Sequence, residues 1–146
     1  MSPIYAFSGA LLVVCVVLTI WRGGGPERLT AVALVLSWIG ATLFPFNFLD
    51  PPWASIIGDA IVTLMLIYFA LFSNRRWAIW ASAFHILVMA THLAFARLQG
   101  LEQWAYVTSL YVWADLGMLA LALGTLTRKH RVNTPASPRD DENGRR

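Results

Sequence analysis

Apolar residues run along this chain in five stretches, interrupted by short groups of charged, glycine and proline positions. Each stretch is close to the ~20 residues that cross a ~30 Å hydrocarbon core at ~1.5 Å per residue. The pattern therefore predicts an all-α fold, a polytopic bundle of five transmembrane helices. The expected spans cover about residues 4–21, 29–48, 53–72, 77–96 and 104–126. Residues 127–146 then form a tail rich in proline, asparagine, serine and charge, whose only apolar residues are Val132 and Ala136. Such a segment cannot bury enough surface to offset its ordering entropy and is expected to be disordered.

Between the spans the connections are short, so consecutive helices should be antiparallel neighbours. The first, Arg22-Gly23-Gly24-Gly25-Pro26-Glu27-Arg28, is a turn in which Pro26 can begin the next helix. Its three glycines are not a phosphate loop, because no Gly-Lys-Ser/Thr follows them. Pro45 lacks a backbone donor and should kink or end the second span near one surface. Aromatics at Phe44, Phe46, Phe48, Trp53, Trp104 and Tyr106 would form one interfacial belt, and Trp21, Trp77 and Trp80 the other. An odd number of spans does not divide into two equal inverted halves, which argues against the common transporter plan.

Charge orients the bundle. Of the 11 Lys and Arg residues, all but Arg97 fall in alternate gaps. They are Arg22 and Arg28, then Arg75 and Arg76, then Arg128, Lys129, Arg131, Arg139, Arg145 and Arg146. By the positive-inside rule the N-terminus is expected outside and the C-terminus in the cytoplasm, in a cell (inner) membrane. The first span has no positive side chain before it, and Arg22 stands where a cleavage site would be. It reads as a retained anchor rather than a signal peptide.

Composition narrows the partners. A chain 58% hydrophobic and 13% charged is too apolar for a soluble domain. Its net charge of +3 lies wholly in the tail, since acids and bases cancel before Thr127. Anionic lipid attracts such a tail by ~1 kcal/mol per basic residue. Nucleic acid is not an expected partner, because no aromatic residue is interleaved with these charges for base stacking. The lipid bilayer is the expected partner, with another membrane protein or a second copy beside it. Cys15 stands alone, so no intramolecular disulfide forms, and it reads as a small buried hydrophobe.

Candidate chemistry rests on four ionisable residues inside spans: Asp59, His85, His92 and Asp115. Each costs ~2.5–3.5 kcal/mol if an Asp lies unpartnered at a helix centre, so such residues face the bundle interior and find partners. At ~1.5 Å per residue, Asp59 and His92 lie ~9 and ~7.5 Å from the outer boundary, and His85 and Asp115 both ~18 Å. Depth thus predicts two pairs, Asp59 with His92 and Asp115 with His85. His85 and His92 are two helical turns apart and share a face with Ala78, Ser82, Met89 and Ala96. Ser55, Asp59 and Thr63 share another. Tyr111, one turn from Asp115, is expected to donate its hydroxyl to that carboxylate.

No Ser-His-Asp, HExxH or CxxC arrangement is present, so no catalytic residue and no metal ligand is assigned. A bis-histidine haem is excluded within one chain. His85 and His92 lie ~10.5 Å apart along their helix, whereas two axial nitrogens lie ~4 Å apart. No cofactor is expected. The leading expectation is a small non-enzymatic membrane protein whose His/Asp cluster lies between spans 3, 4 and 5. It would be an accessory or sensory subunit, or a proton-responsive path, since histidine titrates near ~6.5. Structural polar clamping is the plainer role of the same residues. The alternatives are a membrane-permeabilising, holin-like oligomer and a cofactor-binding subunit of a membrane redox or other enzyme complex. The topology is checked by reporter fusions. Those after Arg22, after Arg76 and in the tail should report cytoplasm, and those near Asp50 and Gly100 the outside. A cytoplasmic signal near Asp50 overturns the assignment of spans.

Overall fold

Helices form where the apolar stretches predict them. The computed structural model describes residues 3–44, 52–97 and 103–127, and all regular structure among them is α-helical. In chain order the elements are α1 (Pro3–Arg22), α2 (Gly25–Leu43), α3 (Trp53–Phe72), α4 (Arg76–Arg97) and α5 (Gln103–Leu126). Four of them, α1, α3, α4 and α5, are long and apolar enough to cross a membrane. The exception is α2. It starts at Gly25 rather than at residue 29, so Glu27 and Arg28 join its first turn and dilute its apolar character. Two local causes set that start. Pro26 has its φ fixed for a first helical turn, and the Glu27 carboxylate accepts the Gly24 N–H at 2.9 Å. The expected end of the second span at residue 48, the Pro45 kink and the tail from residue 128 lie outside the described residues.

The turn between α3 and α4 also follows from its residues. Ser73 caps α3 by donating its N–H to the Phe69 carbonyl at 3.0 Å. Asn74 then adopts φ 50°, a left-handed conformation that asparagine tolerates better than most residues. The chain reverses there and enters α4.

Each helix packs on the next in sequence, and α5 also packs on α1, which closes a ring of five. Two apolar clusters fill it. Val62, Leu66, Phe69, Trp77, Ala78, Ala81 and Leu121 join α3, α4 and α5. Leu12, Cys15, Met118 and Ala122 join α1 to α5, with Leu34 and Trp38 of α2 against them. Cys15 is fully buried there, and its thiol reaches the Met118 carbonyl at 3.2 Å. The outward faces are apolar as well. Val13, Val17 and Ile20 on α1 and Ile57, Ile61, Leu64 and Leu71 on α3 are all exposed. A surface of this kind, continuous over several helices, fits lipid rather than water. The chain has the build of a membrane-embedded protein.

At the end of the ring marked by the Gly23–Gly24 turn, a carboxylate ties α2 to the start of α4. Glu27 is 0% exposed. Beyond the Gly24 N–H, it accepts the Trp77 indole N–H at 3.1 Å and lies 3.7 Å from the Arg75 guanidinium. An unpartnered carboxylate buried this deeply would cost several kcal/mol, so these contacts fix where α4 starts relative to α2. The Trp77 ring in turn lies on Gly124 of α5, where any Cβ would overlap the Trp77 Cβ and ring. Gly124→Ala should therefore destabilise the bundle by ~1–3 kcal/mol, the usual cost of overpacking. Gly40 has nothing within 4 Å of a built Cβ, and Gly40→Ala should stabilise α2 by ~0.5–1 kcal/mol. Thermal unfolding in detergent reads both, and equal effects of the two substitutions would refute the Trp77–Gly124 contact.

Candidate functional site

A polar layer crosses the ring toward the opposite end, and it begins with a carboxylate on α3. Asp59 projects from the helix face that also carries Thr63, whose hydroxyl bonds the Asp59 backbone carbonyl at 2.6 Å. The Asp59 side chain is met from two sides. Ser37 of α2 donates to Oδ1 at 3.1 Å, and His92 of α4 approaches Oδ2 through Nε2 at 3.0 Å. The other ring nitrogen of His92, Nδ1, lies 2.8 Å from the Tyr106 hydroxyl of α5. One chain of contacts, Ser37–Asp59–His92–Tyr106, thus links four helices.

The proton positions follow from donor and acceptor chemistry. With neutral His92 carrying its hydrogen on Nε2, that nitrogen donates to Asp59 and Nδ1 accepts from Tyr106. Every atom in the chain is then matched. His92 is 3% exposed, so water does not supply the partners instead. Phe95 stacks on Tyr106 at 4.1 Å between ring centroids and holds the phenol beside the imidazole.

His85 lies deeper, 2% exposed. Its Nδ1 is 3.2 Å from the Ala81 carbonyl one turn earlier, so Nδ1 carries the hydrogen and donates. The ring edge lies over Gly117 of α5, where a built Cβ would come within 2.9 Å of Nδ1 and Cε1. The expected pair of His85 with Asp115 does not form. Asp115 faces α1 instead, and its Oδ2 accepts the Ser8 hydroxyl at 2.8 Å. Equal depth is a condition for contact but does not set rotation about the helix axis, and α5 turns this carboxylate toward α1. Tyr111 does not donate to Asp115 either. Its ring joins Tyr5 and Trp38 in an aromatic group with centroids 6.3 and 6.2 Å away. The second carboxylate oxygen, Asp115 Oδ1, is buried and has no hydrogen-bond partner among the described residues.

Both acids border one cavity of about 300 Å³, which runs from Ala41 and Pro52 at the helix ends to His85 and Met118 inside the ring. Ser37, Tyr106, Trp38 and Tyr111 complete its polar and aromatic wall. Among the described residues no group of three His, Cys, Asp or Glu side chains is placed to hold a metal ion. Ser8, Ser37 and Tyr106 were not among the residues singled out by sequence. Serines in an apolar stretch carry no charge to draw attention, and Tyr106 sits where an interfacial aromatic is expected. Glu27 looked like a turn residue and is the most deeply buried acid described.

The geometry predicts unequal coupling in two double-mutant cycles. Asp59→Asn and His92→Leu should be coupled by about 0.5–3 kcal/mol, as contacting residues are. Asp115→Asn and His85→Leu should add within about 0.5 kcal/mol. Thermal unfolding in detergent measures both cycles, and strict additivity of the first would refute the Asp59–His92 contact.

Comparison with known proteins matches the chain to no family model, no curated protein and no solved structure, so its function has to be argued from these side chains.

Proposed function

We propose that this is a non-enzymatic inner-membrane protein in which Tyr106–His92–Asp59–Ser37 forms a proton-responsive element, as in an accessory or sensory subunit. The observation that carries the reading is the His92 ring, whose two nitrogens touch side chains on two other helices. Histidine is the side chain whose ordinary titration falls between about pH 5 and 8. Protonation of His92 would reverse its bond to Tyr106, since Nδ1 changes from acceptor to donor and the phenol oxygen must then accept. The contact with Asp59 would become an ion pair between α3 and α4. One proton therefore alters two interhelical contacts, which is how a buried histidine converts pH into a change of packing.

The reading includes five crossings, with the N-terminus outside and the C-terminus in the cytoplasm. The alternation of basic gaps supports the orientation. The fifth crossing is supported by α2, which exposes Leu29, Val32, Leu36, Ile39 and Leu43 in one apolar stripe at helical spacing. Its two charges lie in the first turn, where an interface would be.

In lipid nanodiscs the intrinsic tryptophan fluorescence should change with pH in one transition between about pH 5 and 8. His92→Gln keeps a donor and an acceptor on the side chain but does not titrate, and should abolish that transition. Tyr106→Phe should move its midpoint. An unchanged transition in His92→Gln sinks the proposal.

A further inference from the structure

The cavity beside the relay has a wall whose chemistry the relay does not use. Among the described residues Asp115 is held by a single donor, the Ser8 hydroxyl on Oδ2. Its other oxygen is buried without a partner. A carboxylate so placed lacks the hydrogen bonds that a buried charge requires. Around it the wall is aromatic and apolar: Trp38, Tyr111, Leu34, Leu110 and Met118. Among the described residues no Lys or Arg borders the space; besides Asp115, its ionisable neighbours are Asp59, His85, Tyr106 and Tyr111. His85 donates through Nδ1 to its own helix, and so does not bring that hydrogen to the acid.

Negative charge, aromatic faces and an unpaired acceptor together define a preference. Aromatic rings attract cations through their faces, and carboxylates accept strong bonds from ammonium N–H groups. Hard metal ions are a poor match, because they need about six oxygen ligands and aromatic walls offer none. Neutral apolar molecules leave the Asp115 carboxylate without a counter-charge. A volume of about 300 Å³ lies at the lower end of ligand cavities, ~300–1,000 Å³, and limits the occupant to a small molecule.

We propose that this cavity binds a small protonated amine, whose ammonium N–H donates to the Asp115 carboxylate while its alkyl part lies against Trp38 and Met118. Trp38 and Tyr111 would stabilise the positive charge through their faces, and Tyr5, 5.1 Å from Trp38 between centroids, fixes the indole in place. The site does not need the relay and goes beyond it. Asp59, on the far wall, adds negative potential without giving up its bonds to Ser37 and His92.

The full-length protein in nanodiscs is titrated with n-butylammonium, tetramethylammonium and n-butanol at constant ionic strength, with tryptophan fluorescence and thermal unfolding as readouts. Butylammonium should bind saturably and raise the unfolding temperature. Tetramethylammonium, which has no N–H, should bind at least about tenfold more weakly, and butanol no better, as loss of a charge-assisted hydrogen bond predicts. Asp115→Asn should weaken butylammonium by a similar factor. Ala114→Leu, which fills the cavity and leaves both acids, should abolish its binding. Equal binding of butanol and butylammonium would reveal an apolar pocket only and overturn the proposal. So would butylammonium binding that survives Ala114→Leu unchanged. Should Asp115→Asn fail to fold, the three wild-type titrations still decide. Absent amine binding with the pH transition intact overturns this inference alone, and a lost transition with amine binding intact overturns the relay alone.

Discussion

A polar side chain on a helix whose outer face is apolar cannot turn outward to water, and must find its partner on a neighbouring helix. That constraint organises the ring. Glu27 is satisfied by Trp77 and Arg75 near the start of α4 and Asp59 by Ser37 and His92, while Asp115 is bonded on one oxygen by Ser8 of α1. Each acid therefore names the helix beside it. Together they account for why α2 lies against α3 and α4 approaches both, and for the closing of α5 on α1. Apolar packing alone would not choose among these arrangements, because the interior and exterior of the bundle are almost equally hydrophobic.

The two ends of the ring solve the problem differently. Near the first turn the carboxylate is surrounded by donors and by tight packing, with Gly124 admitting the Trp77 ring. That end is built to stay fixed. Toward the other end the acids border open volume, and one of their oxygens lacks a donor among the described residues. The unpaired oxygen belongs to Asp115, whereas the Ser37–Asp59–His92–Tyr106 contacts beside it are matched. The division of labour is physical rather than topological. The helices are continuous through both regions, and only the side-chain chemistry changes.

Interior hydrogen bonds of this kind contribute little net stability, about 0.6 kcal/mol on average between membrane helices. Their value lies in discrimination. A rotation of α4 about its axis would strand Asp59 and His92 together, besides unseating Trp77 from Gly124. Specific geometry thus comes from groups whose removal in pairs would cost less than their separation.

The helices were legible in the sequence because five apolar stretches of the right length admit few alternatives, and their ends are marked by glycine, proline and charge. So were Asp59, His85, His92 and Asp115 within the helices, and the common depth of Asp59 and His92, which follows from counting residues at a fixed rise. Rotation was not. Which way Asp115 faces depends on how α5 sits against α1 and α4 at once, with Gly117 making space for the His85 ring. No local signal carries that information. Ser8 and Ser37 were invisible for the same reason, since a serine matters only when another helix brings an acid to it. The chain by itself determined where the helices run and that Asp59, His85, His92 and Asp115 lie within them. The tertiary structure alone decided who meets whom, because helix rotation is settled by simultaneous packing against two neighbours and not by any one helix's residues.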